Sequence, residues 1–391
     1  MANALLLTRR GVLQHLGWFV AVATLVAVPW LSTFRLRAAD TLPNAIADDA
    51  FWTLIETVSE ASGAFQSENF LSNETGYQAV IPLLERTARP DGVYLGVGPE
   101  QNFTYIAALH PKIAFIIDIR RQNMLEHLLY KALFELSADR AEFVSRLFSL
   151  TRPAGLSEAS TVDELFRAYS TMPVDDQAFT SNLQAIKDLL LTTHGFGLTS
   201  KDLDSLEHVF TVFRDFGPLI NYNSGAGRSG GRRGGGMPDY VELMTAMDRQ
   251  GEHRSYLASE AHYRVIRDLQ RRNLIVPVAG DFGGRKAIRA VGQYLKEHDA
   301  IVTAFYLSNV ERYLFQANGN QNGGWTSFYD NVATLPLDAS STFIRSGASG
   351  FQGGGFGMRA PNVLAGMLET LAAVKNGRIR TYDDVFSLVK R

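Results

Sequence analysis

The sequence predicts a doubly wound α/β protein, in which a mostly parallel sheet carries helices on both faces. Four short apolar runs indicate strands, at residues 93–95, 113–119, 274–279 and 301–307, and amphipathic helical patterns separate them. Glycine or a polar residue stands at the end of each run. Ligands of such sheets bind beyond the carboxyl ends of the strands, so these residues are the first candidates for a site.

The composition is that of a globular protein without thiol chemistry. Of 391 residues, 46% are hydrophobic and 20% are charged, which suits a large domain with a core. The formal net charge of −2 gives no general attraction for nucleic acid. There is no cysteine, which excludes disulfides, thiolate catalysis and cysteine-ligated zinc. No metal site is predicted.

Residues 1–39 are predicted to be an export signal or membrane anchor, followed by one α/β domain over residues 40–391. Arg9 and Arg10 precede an uncharged run at residues 11–34. This pattern resembles a twin-arginine signal, whose arginine pair is read by a receptor. We therefore expect the twin-arginine export machinery to be a partner, and the protein to be periplasmic or tethered to the inner membrane. A later start of translation is the alternative.

The apolar centre of this segment favours a signal peptide over a permanent anchor. It covers residues 16–31, and these 16 residues fall short of the roughly 20 that cross a bilayer comfortably. The sequence Arg37-Ala38-Ala39 has a large charged residue where a cleavage site prefers a small one. An uncleaved, membrane-tethered form therefore stays open.

The first predicted strand leads into a glycine turn and a helix, and the second strand carries an acid near its end. Gly96 and Gly98 lack Cβ, so the backbone can turn tightly and a ligand can approach it. Asp118 lies twenty positions after Gly98, close to the spacing of about 20 for a carboxylate that accepts hydrogen bonds from a ribose. We interpret the stretch as a nucleotide site. The alternative is a tight structural turn with a solvated Asp118.

Two residues after the turn favour a cofactor without phosphates. Gln101 stands where a dinucleotide fingerprint has its third glycine. Glu100 puts a carboxylate near the helix N-terminus, where a pyrophosphate would sit. We further expect Gly98 to serve close approach of the ligand, so that Gly98→Val abolishes binding and leaves the ligand-free fold intact.

At this point the stretch resembles the first motif of class I S-adenosylmethionine-dependent methyltransferases. The motif reads G-V-Y-L-G-V-G-P-E-Q-N-F-T-Y, followed by F-I-I-D-I-R-R-Q-N, and looks closest to a poorly characterised bacterial branch. The resemblance implies a Rossmann-like sheet with S-adenosylmethionine as cofactor. It places the loop of Gly96, Gly98 and Glu100 beside the cofactor and Asp118 on its ribose. Tyr94 departs from the pattern, since many methyltransferases carry there an acid that contacts the cofactor's amino group.

The resemblance, which covers roughly residues 70–148 and 255–390, also assigns roles to the ends of the later strands. Asp281 and Phe282 resemble the acid and hydrophobic pair that contacts adenine. Asn309 and Glu311 stand where the family often keeps groups that orient the substrate. The alternatives are a helix N-cap for Asp281 and a loop contact for Asn309.

The polar segment 67–77 precedes the first strand, where methyltransferases often have a cofactor lid. Asn73, Glu74 and Tyr77 are therefore candidate lid or substrate contacts, the alternative being a capping segment for the next helix. If the acceptor must lose a proton, Glu311 or Glu74 is the candidate base.

A helical insertion at about residues 150–258 is predicted between the second and third strands, as a cap over the site. The glycine-rich segment 223–236 is interpreted as a loop and not as a nucleic-acid contact, because it has no aromatic residues to stack on bases. Residues 333–337 and 341–345 are expected to form an antiparallel hairpin at the sheet edge, and a helix is expected from Pro361 to Gly377.

The predicted activity is methyl transfer from S-adenosylmethionine to an unknown acceptor. One alternative is an exported, non-catalytic ligand-binding or scaffold protein on the same fold, because the supply of this cofactor outside the cytoplasm is doubtful. The other is a nicotinamide-dependent oxidoreductase, against which the incomplete glycine fingerprint counts.

Overall fold

The computed structural model describes residues 39–225, 237–316, 324–347 and 362–389. The predicted export segment, apart from Ala39, lies outside these residues, as does most of the glycine-rich segment 223–236. In the described parts of the chain, no helix is long and apolar enough to cross a membrane.

Six strands of the described chain form one sheet in the order β3-β2-β1-β4-β5-β6. They are β1 (Val93–Gly96), β2 (Ile113–Asp118), β3 (Ile275–Ala279), β4 (Val302–Ser308), β5 (Thr342–Arg345) and β6 (Val363–Gly366). Strands β1 to β5 are parallel to one another, and β6 is antiparallel to β5. The prediction of a mixed α/β fold with a mostly parallel sheet is confirmed, and the topology is compatible with a Rossmann-like fold.

Helices precede, separate and follow the strands. They are α1 (Asp48–Val58), α2 (Ile81–Thr87), α3 (Gln101–Leu109), α4 (Arg121–Leu136), α5 (Arg140–Phe148), α6 (Val162–Tyr169), α7 (Asp176–Asp188), α8 (Ser200–Phe216), α9 (Tyr240–Met244), α10 (Glu260–Arg271), α11 (Ala287–Glu297), α12 (Val310–Gln316), α13 (Gly324–Val332) and α14 (Met367–Lys375). A π-helical turn at Leu189–Thr193 follows α7.

Three of the parallel strands are buried over their whole length, which is why their sequences are almost continuously apolar. Every residue of β1, β2 and β3 is buried, as expected for parallel strands covered on both faces. The chain passes from β1 to β2 on one side, whereas β4 lies on the other side of β1. The order of strands therefore reverses beside β1, and such a switch point is where open α/β sheets bind ligands.

Helices α5 to α9 lie between β2 and β3 in the chain, over the region predicted as a helical insertion. Thr161 and Thr199 begin α6 and α8 with capping boxes, in which a threonine and an acid three residues later satisfy free backbone N–H groups. Arg121, at the start of α4, pairs with Asp202 of α8 at 2.6 Å. This ion pair ties the insertion to the carboxyl edge of the sheet.

The C-terminal strand pairing differs from the expected hairpin. The antiparallel partner of β5 is β6, and not residues 333–337, which leave α13 in a turn. Pro336 lies in that segment, and proline cannot donate a ladder hydrogen bond. Residues 363–366, expected to be helical, are strand β6, and helix α14 begins only at Met367. Pairing with β5 overrides the local helical pattern here.

Candidate functional site

One cavity of about 150 Å³ opens at the carboxyl edge of β1 to β4. It has room for an organic ligand and not only for a single water. Six residues predicted from the sequence line it, and they are Asn73, Gly98, Asp118, Asp281, Phe282 and Asn309. Further lining residues come from the segment before β1, from the strand ends and the helices that follow them, and from the insertion: Phe65, Asn69, Ser72, Gln101, Arg120, Tyr222, Ser308 and Tyr313.

Gly98 lines the cavity in a backbone conformation that favours glycine. Its φ is +76°. A Cβ placed there would lie 3.7 Å from Gln101 Nε2 and 3.8 Å from Asn69 Nδ2, which is ordinary contact. A side chain at this position is therefore opposed by the backbone and not by lack of space. The expectation that Gly98→Val leaves the ligand-free fold intact is wrong for this reason.

Gly96 does not line the cavity. It lies against the side chain of Asn102, on the protein side of the turn. A Cβ at Gly96 would lie 1.9 Å from Asn102 Oδ1. The Nδ2 atom of Asn102 lies 3.0 Å from the carbonyl oxygen of Val97, 3.1 Å from that of Gly98 and 2.7 Å from that of Pro99. Asn102 thus holds the turn together, and Gly96 makes room for it.

Asp118 ends β2 as part of a buried ion pair that the sequence analysis did not anticipate. Its Oδ1 accepts hydrogen bonds from the backbone N–H of Arg120 at 2.9 Å and from Nε at 3.0 Å, and Oδ2 accepts one from Nη2 at 3.1 Å. Burial alone would lower the pKa of Arg120, but the neighbouring Asp118 carboxylate outweighs it and raises that pKa. A carboxylate has about four acceptor positions. Three are used, so one position on Oδ2 remains for a ligand hydroxyl.

Asp281 and Phe282 follow β3 and form one wall of the cavity. The Oδ1 atom of Asp281 accepts from the backbone N–H of Gly283 at 2.9 Å. Helix α11 begins six residues later and has no side-chain cap, so Asp281 is not its N-cap. Phe282 stacks on Phe328 with ring centroids 5.5 Å apart, which fixes its orientation.

Glu311 does not reach the cavity, although Asn309 two residues earlier does. Its side chain is 2% exposed. It lies 2.6 Å from Arg345 Nε and 3.1 Å from Nη2, and it accepts from the Tyr329 hydroxyl at 2.5 Å. Both carboxylate oxygens are therefore committed to a buried pair between α12 and β5. The structure gives Glu311 no position from which to act as a base on a ligand in the cavity.

Glu74 and Tyr77 anchor the segment before β1, while their neighbour Asn73 lines the cavity. Glu74 accepts from Ser308 Oγ, from Ser346 Oγ and, at 2.8 Å, from Asn362 Nδ2. The Tyr77 hydroxyl donates to the carbonyl of Leu243 at 3.0 Å. Neither side chain lines the cavity; both are bonded to other parts of the fold.

The lid, which we define as residues 65–73, lines part of the cavity and contacts the insertion. The Phe65 ring meets the Tyr313 ring edge-on, with centroids 5.3 Å apart. Glu68 Oε1 lies 2.7 Å from His208 Nε2 of α8, and the Glu68 carbonyl accepts from Arg120 Nη1. The insertion therefore supports the lid directly.

Two lining residues other than glycine adopt left-handed backbone. Asn69 and Ser308 each have φ of +49°. Such conformations cost free energy and cluster at functional sites. No sequence pattern indicated either one.

A row of buried polar side chains lies behind the glycine turn. Asn123, Glu126, His127 and Tyr130 follow the i, i+3, i+4, i+7 spacing of one face of α4, and each has at least one side-chain atom without a hydrogen-bond partner. His127 Nε2 lies 2.9 Å from the Gly98 carbonyl. Burial lowers the pKa of His127 to about 4, so its neutral ring donates from Nε2 and supports the turn.

Glu100 is also a buried polar residue and does not line the cavity. It is fully buried, and burial raises its pKa to about 8, although the backbone N–H groups of Glu100 and Ser72 lower it in part. The carboxyl is therefore mostly protonated at neutral pH. A protonated Glu100 outside the cavity lining does not repel a pyrophosphate, so Gln101 is the residue of this turn that departs from a dinucleotide site.

The described residues contain no group of three or more histidine, aspartate or glutamate side chains placed to hold a metal ion.

A family model described as a domain of unknown function (DUF7790) matches residues 69–359. This match includes all the residues predicted for the site, from Asn73 to Glu311. No curated protein matches the chain.

Proposed function

The chain belongs to the DUF7790 family, and we propose that it binds S-adenosylmethionine and transfers the methyl group to an acceptor. One observation carries the proposal. Gly98, Asp118 and the pair Asp281–Phe282, which the methyltransferase resemblance assigns to the cofactor, come from three different strand ends and line the same cavity. Parallel strands bring their carboxyl ends to one edge in any such sheet, so it is the residue types found at this edge, and not the convergence alone, that support the proposal.

The residues present suit such a ligand. Asp118 keeps one acceptor position for a ribose hydroxyl, and Arg120 holds its carboxylate in place. Phe282 offers an apolar wall for a base, and Phe65 adds a second aromatic ring to the cavity lining. When bound, the cofactor supplies an electrophilic methyl group on sulfur. The chain then has to orient the acceptor in line with it and keep the site dry.

The sheet edge also supports a methyltransferase-like fold over a dinucleotide-binding one. The dinucleotide fold runs 3-2-1-4-5-6, and this sheet has the same order, but its last strand β6 is antiparallel to β5. An antiparallel edge is what the resemblance implies.

The distribution of acids limits the kind of acceptor. Glu74 and Glu311 are committed to Ser308 and Arg345, and Asp118 is paired with Arg120. Among the described lining residues, no acid pairs with a histidine as a general base would. Asp281, the remaining acid of the lining, is assigned by the resemblance to adenine. The proposed acceptor is therefore a nucleophile that needs no protein base, such as a neutral amine or a thiolate. The same observation favours the second candidate, a ligand-binding protein without catalysis.

Calorimetric titration of the purified protein with S-adenosylhomocysteine and with NAD tests the cofactor. We expect binding of the first only. Asp118→Asn should weaken it by about ten- to hundredfold, because the amide cannot replace the carboxylate toward both Arg120 and the ribose. Asp338→Asn, in the exposed pair with Arg89, is the control and should change nothing. Tighter binding of NAD would move the assignment to the oxidoreductase.

Transfer is tested separately from binding. The protein is incubated with methyl-labelled S-adenosylmethionine and a set of amines and thiols, and we expect label to appear on one class of acceptor. Binding of the cofactor without label transfer to any acceptor would identify the non-catalytic alternative.

A further inference from the structure

The lining of the cavity changes character along the edge of the sheet. The strands lie in the order β3-β2-β1-β4, and with neighbouring strands about 4.8 Å apart the ends of β3 and β4 are separated by about 14 Å. Asp281 and Phe282 follow β3, Asp118 ends β2 and Gly98 follows β1. The resemblance assigns these places to adenine, to the ribose and to the rest of the cofactor. The end of β4 therefore remains for the acceptor.

The lining at this end is apolar and aromatic. We call it the β4 wall, and it consists of Ser308, Asn309, Val310, Tyr313 and Leu314. The lid adds Phe65, whose ring meets the Tyr313 ring edge-on with centroids 5.3 Å apart. Both rings are only partly buried, so they keep surface for a ligand to contact. A further aromatic ring can pack against this pair edge-on or offset.

The β4 wall contains no charged side chain. Among the described lining residues, the charged ones are Asp118, Arg120 and Asp281, and all three lie at the ends of β2 and β3. The Arg120 guanidinium carbon is 5.9 Å from the centroid of the Phe65 ring, but its charge is already compensated by Asp118. A charged acceptor would lose its hydration at this wall and gain no opposite charge in return.

The lack of a base in the described lining also favours a neutral acceptor. An alkylamine resembles lysine, whose pKa is about 10.4, so at neutral pH it is an ammonium ion that needs a base before it can attack. A thiolate needs no base, but it brings a charge to a wall without a counter-charge. An amine attached directly to an aromatic ring stays neutral, because its lone pair is delocalised into the ring. Its ring also suits the aromatic pair.

We propose that the β4 wall and Phe65 form the acceptor subsite, and that the acceptor is a neutral aromatic amine. This assignment rests on the proposed function. The amine nitrogen uses its lone pair to bond to the methyl carbon while the bond between sulfur and that carbon breaks, and the electron pair of the broken bond stays on sulfur. The nitrogen, now positively charged, releases one proton to water. Phe65 and Tyr313 select the acceptor and take no part in these bond changes.

The test uses 5-aminoindane and 2-aminoindane, two isomers with the same fused rings. The first is an aromatic amine and is neutral at pH 7.5, whereas the second is an alkylamine and is protonated. Each is titrated calorimetrically into the wild-type protein saturated with S-adenosylhomocysteine, which has no methyl group on sulfur, so binding is measured without turnover. We expect 5-aminoindane to bind about tenfold more tightly or better, because the ammonium group of its isomer is desolvated without a counter-charge.

A variant then tests the position of the subsite. Tyr313→Leu should weaken binding of 5-aminoindane by about three- to tenfold, the contribution of one aromatic contact, and leave the affinity for S-adenosylhomocysteine unchanged. Tyr294→Leu is the control and should change neither affinity, because Tyr294 is a partly buried tyrosine of α11 outside the cavity lining. With methyl-labelled S-adenosylmethionine, label should appear on 5-aminoindane and not on its isomer.

Equal binding of the two isomers to the loaded wild type, or binding of neither, overturns the assignment and needs no variant to fold. Label on 2-aminoindane alone also overturns it. An unchanged affinity of Tyr313→Leu for 5-aminoindane would place the amine elsewhere and overturn the β4 wall as the subsite. Failure of S-adenosylhomocysteine itself to bind overturns the proposed function, and this is seen before either isomer is added.

Discussion

At the scale of single residues, Asp118 and Arg120 form a buried ion pair. Both side chains are less than a tenth exposed, so each would be a buried, uncompensated charge without the other. Arg120→Met should lower the free energy of unfolding by about 3–5 kcal/mol. Arg89→Met breaks the exposed pair with Asp338 and should cost only about 0–1 kcal/mol. Urea unfolding measures both, and equal losses would mean that Asp118 is solvated.

Glu100 should make stability depend on pH. Its pKa is about 8 in the folded protein, against 4.5 as the ordinary value. The folded state thus prefers the protonated form, so the stabilising contribution is full below pH 4.5 and is lost as the pH rises through about 8. Glu100→Gln should flatten the loss of stability between pH 5 and pH 8 and leave the variant more stable than the wild type at pH 8.

Urea unfolding at several pH values measures this effect. Exposed Glu369→Gln is the control and should keep the wild-type slope. An unchanged slope in Glu100→Gln would show that the carboxyl is ionised and hydrogen-bonded in the folded protein.

Gly98 and Gly155 allow the backbone effect of a side chain to be separated from its effect on the ligand. Both have positive φ, and a Cβ at Gly155 would meet nothing within 4 Å. Alanine at either position should lower ligand-free stability by about 1–2 kcal/mol. Only Gly98→Ala should also change the affinity for S-adenosylhomocysteine. Thermal unfolding and calorimetry distinguish the two effects, and loss of binding in both variants would point to a general loosening of the fold.

At the scale of elements, His194 joins three separate pieces of chain. After the π-helical turn, its Nδ1 lies 2.9 Å from Asp48 Oδ1 of α1, and its Nε2 lies 2.9 Å from Glu135 Oε2 of α4. Burial would lower the pKa of His194, but the two carboxylates raise it above 6.5. This contribution to stability is full below pH 6.5 and is lost as the pH rises through the folded-state pKa.

His194→Gln should therefore reduce thermal stability more at pH 6 than at pH 8.5. The measurement is the melting temperature of both proteins across that range. A difference that stays constant with pH would show that the ring contributes only by packing, for example against Phe196.

The positions of strands β1 to β4 could be predicted from the sequence, but the long-range partners of Glu311 and of β5 could not. The runs of β1 to β4 are apolar enough to identify from sequence, and their ends converge wherever the strands are parallel, which is why Gly98, Asp118 and Asp281 meet in one cavity. Glu311 looked equally suitable, but its partner Arg345 lies 34 residues further along the chain. A local sequence pattern does not show which distant residue a carboxylate pairs with. It also does not show which distant segment a strand pairs with, so the antiparallel β5–β6 pairing was not predicted.

At the scale of the whole molecule, the export signal stays a prediction, since it lies outside the described residues. Replacing Arg9 and Arg10 together by lysine should retain the protein in the cytoplasm, because the receptor reads the guanidinium pair. Cell fractionation measures this, with Arg35→Lys as the control. An unchanged distribution of the double variant would exclude the twin-arginine route.

The contacts of Glu74 have a consequence for how the protein is made. This residue is near the start of the fold, and one of its partners, Asn362, is 288 residues further on. During synthesis Glu74 is translated early, but it can accept the hydrogen bond from Asn362 only after 288 further residues have been added. Contacts of such long separation form late and slowly. The cavity should therefore be completed only after Asn362 has been synthesised, so the proposed cofactor would bind to a nearly finished chain.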